Sequence, residues 1–257
     1  MTVATWNVNS IKARLPHLLR WLHDAAPDVV LLQETKIPCE GFPRIEIGDL
    51  GYNIASAGQK SFNGVAVLSK RPIEILQTGL DGDPDDIQAR YLEVFTAGVR
   101  VASLYVPNGN PVDTGKFSYK LGWLARLRAR AEALLASEDA FVLGGDYNIV
   151  PDDRDCYDPA AWRDDALCRP EARAGFRRLL HLGLTDAIRG VAPDGPGPYT
   201  WWDYRAGAWA ADQGLRIDHL LLSPQAADRL LAAGVDRAPR AWERPSDHTP
   251  VWCRLAA

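Results

Sequence analysis

The sequence predicts an α/β fold in which two β-sheets pack together and helices flank them, all in one domain. Three observations carry this. Short apolar runs recur from one end of the chain to the other, and most close on polar residues, as buried strands do. Stretches with helical spacing of leucine and alanine lie between them. The 257 residues show no repeat and no linker-like segment, and layered α/β folds reach this length as single units.

The opening run "TVATWNVNS" reads as a strand ending on Asn and Ser. "LPHLLRWLHDAAPD" sets Leu15, Leu18, Leu19 and Leu22 at helical spacing until Pro27 stops it. "DVVLLQE" is a buried strand. "GYNIASAG" and "NGVAVLSK" are two more strands with a turn between them. "ARYLEVFTAGVRVASLYVP" is a hairpin that turns at Ala97-Gly98. The longest helical stretch carries Phe117, Leu121, Leu124, Leu127, Ala131 and Leu134 as its apolar stripe. "AFVLGGDYN" is again a strand, and residues 151–170 form a long acidic surface loop rich in Asp and Pro. "EARAGFRRLLHLGL" is helical and "LRIDHLLLS" is a strand. "SPQAADRLLAAGV" reads as a helix with Ser223 as N-cap and Pro224 in the first turn. "HTPVWCRL" is the last strand.

Composition narrows the classes. A hydrophobic fraction of 47% with 24% charged residues is that of a soluble globular chain. No run approaches the roughly 18 apolar residues of a membrane span. The N-terminus lacks the basic and apolar regions of a signal peptide. Cys39, Cys156, Cys168 and Cys253 form no C-x-x-C pair, so free thiols in a reducing cytoplasm are expected. The net charge of −4 weighs mildly against a nucleic-acid partner. One positive face, or a metal ion over an acidic cluster, would remove that objection.

Polar residues gather where strands end: Asn7 and Asn9, Glu34, Tyr105 and Asn108, Asp146 and Asn148, Asp218, and Asp247 with His248. Residues i and i+2 of an extended chain share a face, so Asp146 and Asn148 point together, as do Asn7 and Asn9. Asp218 and His219 point apart. Each residue alone has a plainer explanation. Asn after a strand usually makes a turn, and a lone His is usually a bonded turn residue. All of them together, each beside a strand end, indicate a site. The run Ser246-Asp247-His248 holds the residue types of a hydrolytic triad, but neighbours in sequence diverge and cannot form the relay.

The blocks "WNVNSIKARL", "PDVVLLQETK", "GQKSFNGVAVLSK", "SLYVPNG", "GGDYNIVP", "YTWWDYR", "GLRIDHLLLS" and "PSDHTPVW" resemble the exonuclease III family of DNA-repair nucleases. They run in order from the first strand to the last. "LQET" and "SDH" are shared with a wider superfamily of phosphodiesterases and phosphatases, whereas "QETK", "WWDYR" and "GLRID" mark the DNA-repair branch.

The resemblance implies a four-layer α/β sandwich, two packed mixed β-sheets flanked by helices. It implies DNA phosphodiester hydrolysis with Mg²⁺ or Mn²⁺: incision 5′ to abasic sites, and 3′→5′ exonuclease and 3′-phosphodiesterase action in base excision repair. By that resemblance Glu34 is the main metal ligand, with Asn7, Asn9 and Asp247 around it and Asp146 and Asn148 beside it. Asp146 activates the attacking water and Asn148 helps hold Asp146 and the phosphate. Tyr105 and Asn108 contact the phosphate, and His248 meets its oxygens with Asp218 behind the imidazole. Trp201, Leu215 and Ile217 line a small apolar pocket for an abasic sugar. The chemistry of the residues agrees. An anionic phosphodiester repels hydroxide, and a hard cation on oxygen ligands offsets that charge.

Lys60 lies in a family block and is expected to meet the DNA backbone. Arg90, Lys116, Lys120 and the 163–178 stretch are further candidate cations, though an exposed cation more often only solubilises. The partner is double-stranded DNA carrying abasic sites or 3′ ends, with no membrane. A monomer in the bacterial cytoplasm, at the nucleoid while acting, is expected. Two alternatives stand: a phosphatase or phosphodiesterase of the same superfamily acting on a non-DNA phosphoester, and a non-catalytic DNA-binding module.

Overall fold

The computed structural model describes residues 1–256. Along the chain run β1 (Thr2–Asn7), α1 (Ile11–Ala25), β2 (Val29–Gln33), α2 (Arg44–Gly48), β3 (Asn53–Ala57), β4 (Val65–Ser69), β5 (Glu74–Thr78), β6 (Tyr91–Thr96), β7 (Val99–Tyr105), α3 (Gly115–Leu135) and β8 (Phe141–Asp146). Then come α4 (Pro170–Leu180), β9 (Thr185–Asp186), α5 (Ala187–Val191), β10 (Trp201–Trp202), β11 (Gly214–Leu215), β12 (Asp218–Leu222), α6 (Pro224–Ala227), β13 (Leu230–Val235) and β14 (Val251–Leu255).

Two six-stranded sheets result, in the orders β13-β14-β1-β2-β4-β3 and β5-β6-β7-β8-β12-β9. Each is antiparallel except for one central parallel pair, β1 with β2 and β7 with β8. A parallel pair needs a crossover, and α1 and α3 supply them. Val3, Leu31, Val67, Val101, Val142 and Leu220 belong to the core between the sheets. Ala4, Trp6, Val30 and Leu32 face the other way and pack with Leu18, Trp21 and Leu22 of α1. Leu104, Phe141 and Leu143 pack likewise with Trp123, Leu127 and Phe176 of α3 and α4. Helix, sheet, sheet and helix make the four layers, and burial on both faces explains why the central strands are largely apolar.

At Gly144 a Cβ would lie 2.5 Å from Leu31 Cδ1 and 2.6 Å from Leu220 Cδ2, so only glycine lets these side chains in. Nearby, Thr5 Oγ1 donates to Gln33 Oε1 at 3.2 Å and Gln33 Nε2 donates to Ser103 Oγ at 3.0 Å. Ser103 Oγ in turn donates to Leu32 O at 2.9 Å. These fully buried polar groups satisfy one another across the two sheets.

The hairpin turns at Ala97 (φ 51°) and Gly98 (φ 79°), both left-handed as a two-residue turn requires. Ser223 caps α6 by accepting from Ala226 N. The rest of "SPQAADRLLAAGV" departs from expectation: helix ends at Ala227, and Leu230–Val235 pairs with β14. Hydrogen bonding along the free edge of β14 outweighs the local helix preference of the Ala and Leu residues. β5 was not anticipated from the sequence; it is an exposed edge strand without alternating polarity. On α3, Leu121 is only half-buried, whereas Lys120 and Trp123 are inside.

Candidate active site

Strand register assembles the site. Tyr105 lies beside Asp146 in the parallel β7–β8 pair, and Asp146 lies opposite Asp218 in the antiparallel β8–β12 pair. Asn7 ends β1, and Glu34 follows β2. Asn9, Glu34 and Asn148 have φ of 44°, 51° and 49°, a left-handed backbone that costs roughly 1 kcal/mol or more per non-glycine residue. Three such residues around one cleft mark a place where side-chain direction outweighs backbone preference.

Asn7 Nδ2 donates to Glu34 Oε1 at 2.8 Å and to Asp146 Oδ2 at 2.9 Å, bridging the two sheets. Asn148 N donates to Asp146 Oδ1 at 2.8 Å. Asn108 Nδ2 donates to Asn148 Oδ1 at 3.0 Å. His248 Nδ1 lies 2.9 Å from Asp218 Oδ2, and its Nε2 lies 3.7 Å from Asp146 Oδ2. Thr200 Oγ1 donates to Asp218 Oδ2 at 2.7 Å from behind. Ser246 shapes the approach by donating to Asn7 O at 2.7 Å and accepting from His248 N at 3.2 Å.

The charges explain the titration. Burial alone would lower the pKa of His248, but the carboxylates of Asp218 and Asp146 reverse this and raise it to about 10. Burial pushes Asp146 up to about 7; His248 opposes the rise, while Asp218 and Glu34 reinforce it. Burial, with Glu34 and Asp146 close by, lifts Tyr105 far above an ordinary phenol, so its hydroxyl remains a donor.

Glu34, Asp146 and His248 bring ligand atoms within 4.8 Å of one another. Two carboxylates this close call for a cation, and hard oxygen donors suit a divalent one. Part of the charge is met by Lys36, whose Nζ is 2.7 Å from Glu34 Oε2 and 2.5 Å from Asn9 Oδ1. The other expected ligands are engaged otherwise. Asp247 accepts from Trp201 Nε1 at 2.9 Å and from Asn9 Nδ2 at 3.0 Å. Asn7 Oδ1 accepts from Asn9 N at 3.0 Å, so Asn7 and Asn148 face the carboxylates as amide donors.

The cleft over these groups encloses about 290 Å³. Trp162, Leu167, Trp201 and Ile217 form its apolar side, with the two indoles edge to face at 5.8 Å. Leu215 is fully buried and backs this wall, pairing with Trp201 rather than lining the cleft. Trp202 points the other way into the core. A larger groove of about 840 Å³ between α3 and α4 shares no lining residue with the cleft and holds none of this chemistry.

The cations sort differently from expectation. The Arg90 guanidinium lies 4.6 Å over the Tyr105 ring and donates to Tyr105 O at 3.2 Å, so it clamps the tyrosine. Lys120 is fully buried and cannot meet DNA. Lys60 is exposed on the 58–64 loop, outside the cleft lining. Sequence reasoning passed over Lys36 and Thr200 although both lie inside quoted blocks; Lys36 sits two residues from Glu34, and its proximity was the available signal. Asn110 and Asp165, also in the cleft wall, carried no such signal.

A family model described as "Endonuclease/Exonuclease/phosphatase family" matches residues 4–248. Exodeoxyribonuclease III of Haemophilus influenzae is 34% identical, over 99% of this chain and 100% of that protein. The structure of the Neisseria 3′ phosphatase NExo bound to a product DNA hairpin superposes with a TM-score of 0.97 at 42% identity, covering 100% of both chains. An AP endonuclease from Archaeoglobus fulgidus superposes with a TM-score of 0.96 at 34% identity, again over 100% of both.

Proposed function

The chain belongs to the endonuclease/exonuclease/phosphatase family, and from that premise we infer that its cleft hydrolyses phosphodiesters of damaged or terminal DNA. It is a DNA-repair nuclease of the exodeoxyribonuclease III and AP endonuclease kind. The observation that carries the mechanism is the Asp146–His248–Asp218 line beside Glu34, within one small cleft. Glu34 and Asp146 would hold the divalent cation, Mg²⁺ or Mn²⁺, which when bound supplies positive charge to the phosphate and lowers the pKa of water.

The protein's own groups do the rest. Asp146, held by Asn7 and Asn148 and facing His248, is placed to orient the attacking water and take its proton. His248, held protonated by Asp218, donates to the phosphate oxygens as negative charge builds there. The Tyr105 hydroxyl and the Asn108 amide donate to the same group. Trp201, Ile217, Leu167 and Trp162 offer an apolar seat that fits a bare deoxyribose better than a nucleotide with its base. That seat serves both an abasic site within a strand and a sugar at a 3′ end. Lys60 supports a duplex contact, since its loop also exposes Phe62 (69%) and is pinned by Gln59 and Asn63 to Ala89 and Gln88, just before β6. No helix among the described residues is long and apolar enough to cross a membrane. The protein acts as a monomer in the cytoplasm on this reading, with an open face for DNA.

The test is a hairpin duplex with one abasic site, a second with a 3′-phosphate and an undamaged control, each with Mg²⁺, Mn²⁺ or chelator. Metal-dependent cleavage 5′ to the lesion, or release of the 3′ group, is the expected result. Absence of both on active-site-intact protein would turn the reading to a non-DNA phosphoester.

A further inference from the structure

Lys120 lies on α3, away from the cleft lining, yet its side chain ends beneath the cleft. It is fully buried. Its Nζ donates to three backbone carbonyls: Asn148 O at 2.5 Å, Asn108 O at 3.0 Å and Ala166 O at 3.1 Å. These carbonyls come from three separate segments, after β8, after β7 and from the 151–169 loop. Burial pushes the pKa of Lys120 down to about 7, opposed by Asp146 and Asp165; in its charged form the group has three N–H donors, one for each carbonyl.

Two further observations show that the arrangement is built. Gly109 has φ 92°, and a Cβ there would lie 2.8 Å from Lys120 Cδ and 3.1 Å from Ala166 Cβ. The missing side chain is the space through which the lysine stem passes. Above it, a chain of amides links the same three segments, beginning where Asn108 Nδ2 donates to Asn148 Oδ1. Asn108 Oδ1 accepts from Asn110 Nδ2 at 3.0 Å, and Asn110 Nδ2 also lies 3.1 Å from both oxygens of Asp165. Ala166 N donates back to Asn110 Oδ1 at 3.1 Å, and Leu167 N to Asp165 Oδ1 at 2.9 Å.

We propose that Lys120 is a positioning residue for the nuclease reaction: it pins Asn108 and Asn148, which meet the phosphate and Asp146, to the loop whose Trp162 and Leu167 form the sugar seat. The inference rests on the function proposed above. Lys120 touches no substrate. It acts by fixing the distance between the phosphate side and the apolar side of the cleft. Loss of the pin leaves three buried carbonyls unmatched and lets the two sides drift. Reaction geometry tolerates little of this, since displacements on the order of 1 Å can cost about 100-fold in rate. Ground-state DNA binding, spread over a wider surface, does not depend on that distance.

The test uses Lys120→Met, close in length but with no donors, and Lys120→Gln, which keeps an amide donor. Turnover is measured per folded molecule, well below each variant's melting temperature, on the abasic and 3′-phosphate hairpins with Mg²⁺. The expected result is kcat reduced at least tenfold in Lys120→Met and less in Lys120→Gln, with KM within threefold of the parent. In a cycle with Asn108→Ala, the double variant should lose little more than the more impaired single variant, because both changes act through one group. Parent-like kcat in both variants, or kcat losses that multiply fully in the double variant, would overturn the proposal. If one variant fails to fold, the other decides. An inactive parent would instead count against the proposed function.

Discussion

His248 stands between two buried carboxylates, and that single fact governs what its replacement does. Asp218 holds one ring nitrogen at 2.9 Å, and Asp146 lies 3.7 Å from the other. His248→Ala removes the donor aimed at the phosphate and the positive charge between the acids. We expect kcat to fall roughly 100-fold or more, with the far-ultraviolet circular dichroism unchanged. Turnover within a fewfold of the parent would remove His248 from the chemistry. Much at this scale was legible in the sequence. The alternation rule turned Asp218 and His219 apart, and the structure has His219 on Arg216 and Ile149 O, away from the cleft. The same rule separated Asp247 from His248. Lys120 was not legible, because a lysine on an amphipathic helix looks solvent-facing until three carbonyls are seen to converge on it.

The acidic loop shows the same limit for a whole element. Its aspartates suggested a solvated surface, yet Asp155 is fully buried and takes two bonds from Arg216, at 2.7 and 3.0 Å, and one from Arg189 at 2.5 Å. Arg216 also reaches Asp186 at 2.6 Å, between β9 and the base of β12. These pairs fasten the loop that carries Trp162 to the second sheet. Burial alone would raise the pKa of Asp186, but Arg216 and His219 hold it well below the usual carboxylate range. A depressed folded-state pKa stabilises the fold fully above the unfolded value, near 4, and the benefit is lost as pH falls from there through the much lower folded value. Asp186→Asn should therefore cost about 3 kcal/mol at neutral pH and flatten the acid limb of the stability profile. Urea unfolding from pH 7 down to about pH 2 checks this: the loss should stay nearly constant to about pH 4 and shrink toward pH 2, and a loss that does not shrink there would refute the charge account. The Asn side chain can still cap α5, where Asp186 accepts from Ile188 N, so loss of that cap does not confuse the result.

For the whole molecule, the two-sheet architecture could be inferred from the apolar runs, and the single parallel pair in each sheet could not. Pairing depends on contacts between segments far apart, as in β14 lying between β1 and β13. The same long-range assembly places Glu34 from one sheet beside Asp146 from the other. A divalent ion joining them should stabilise the folded state as a whole. At 100 times its dissociation constant such a ligand contributes about 2.7 kcal/mol, or an upward shift of about 5 °C or more for a chain of this size. Thermal unfolding with Mg²⁺ and with chelator measures it, and identical transitions would count against metal binding at this site. The pairing of Asp146 with Asp218 across β8 and β12 carries one more consequence, for how this protein can vary. Substitutions along these strands change one side chain at a time, but a one-residue deletion within β12, after Asp218, would put Asp218 out of register with the rest of the strand, turn it to the opposite face and strand His248 without its partner. Length changes should accumulate in the surface loops, while β8 and β12 keep their residue count in any descendant that still cuts DNA.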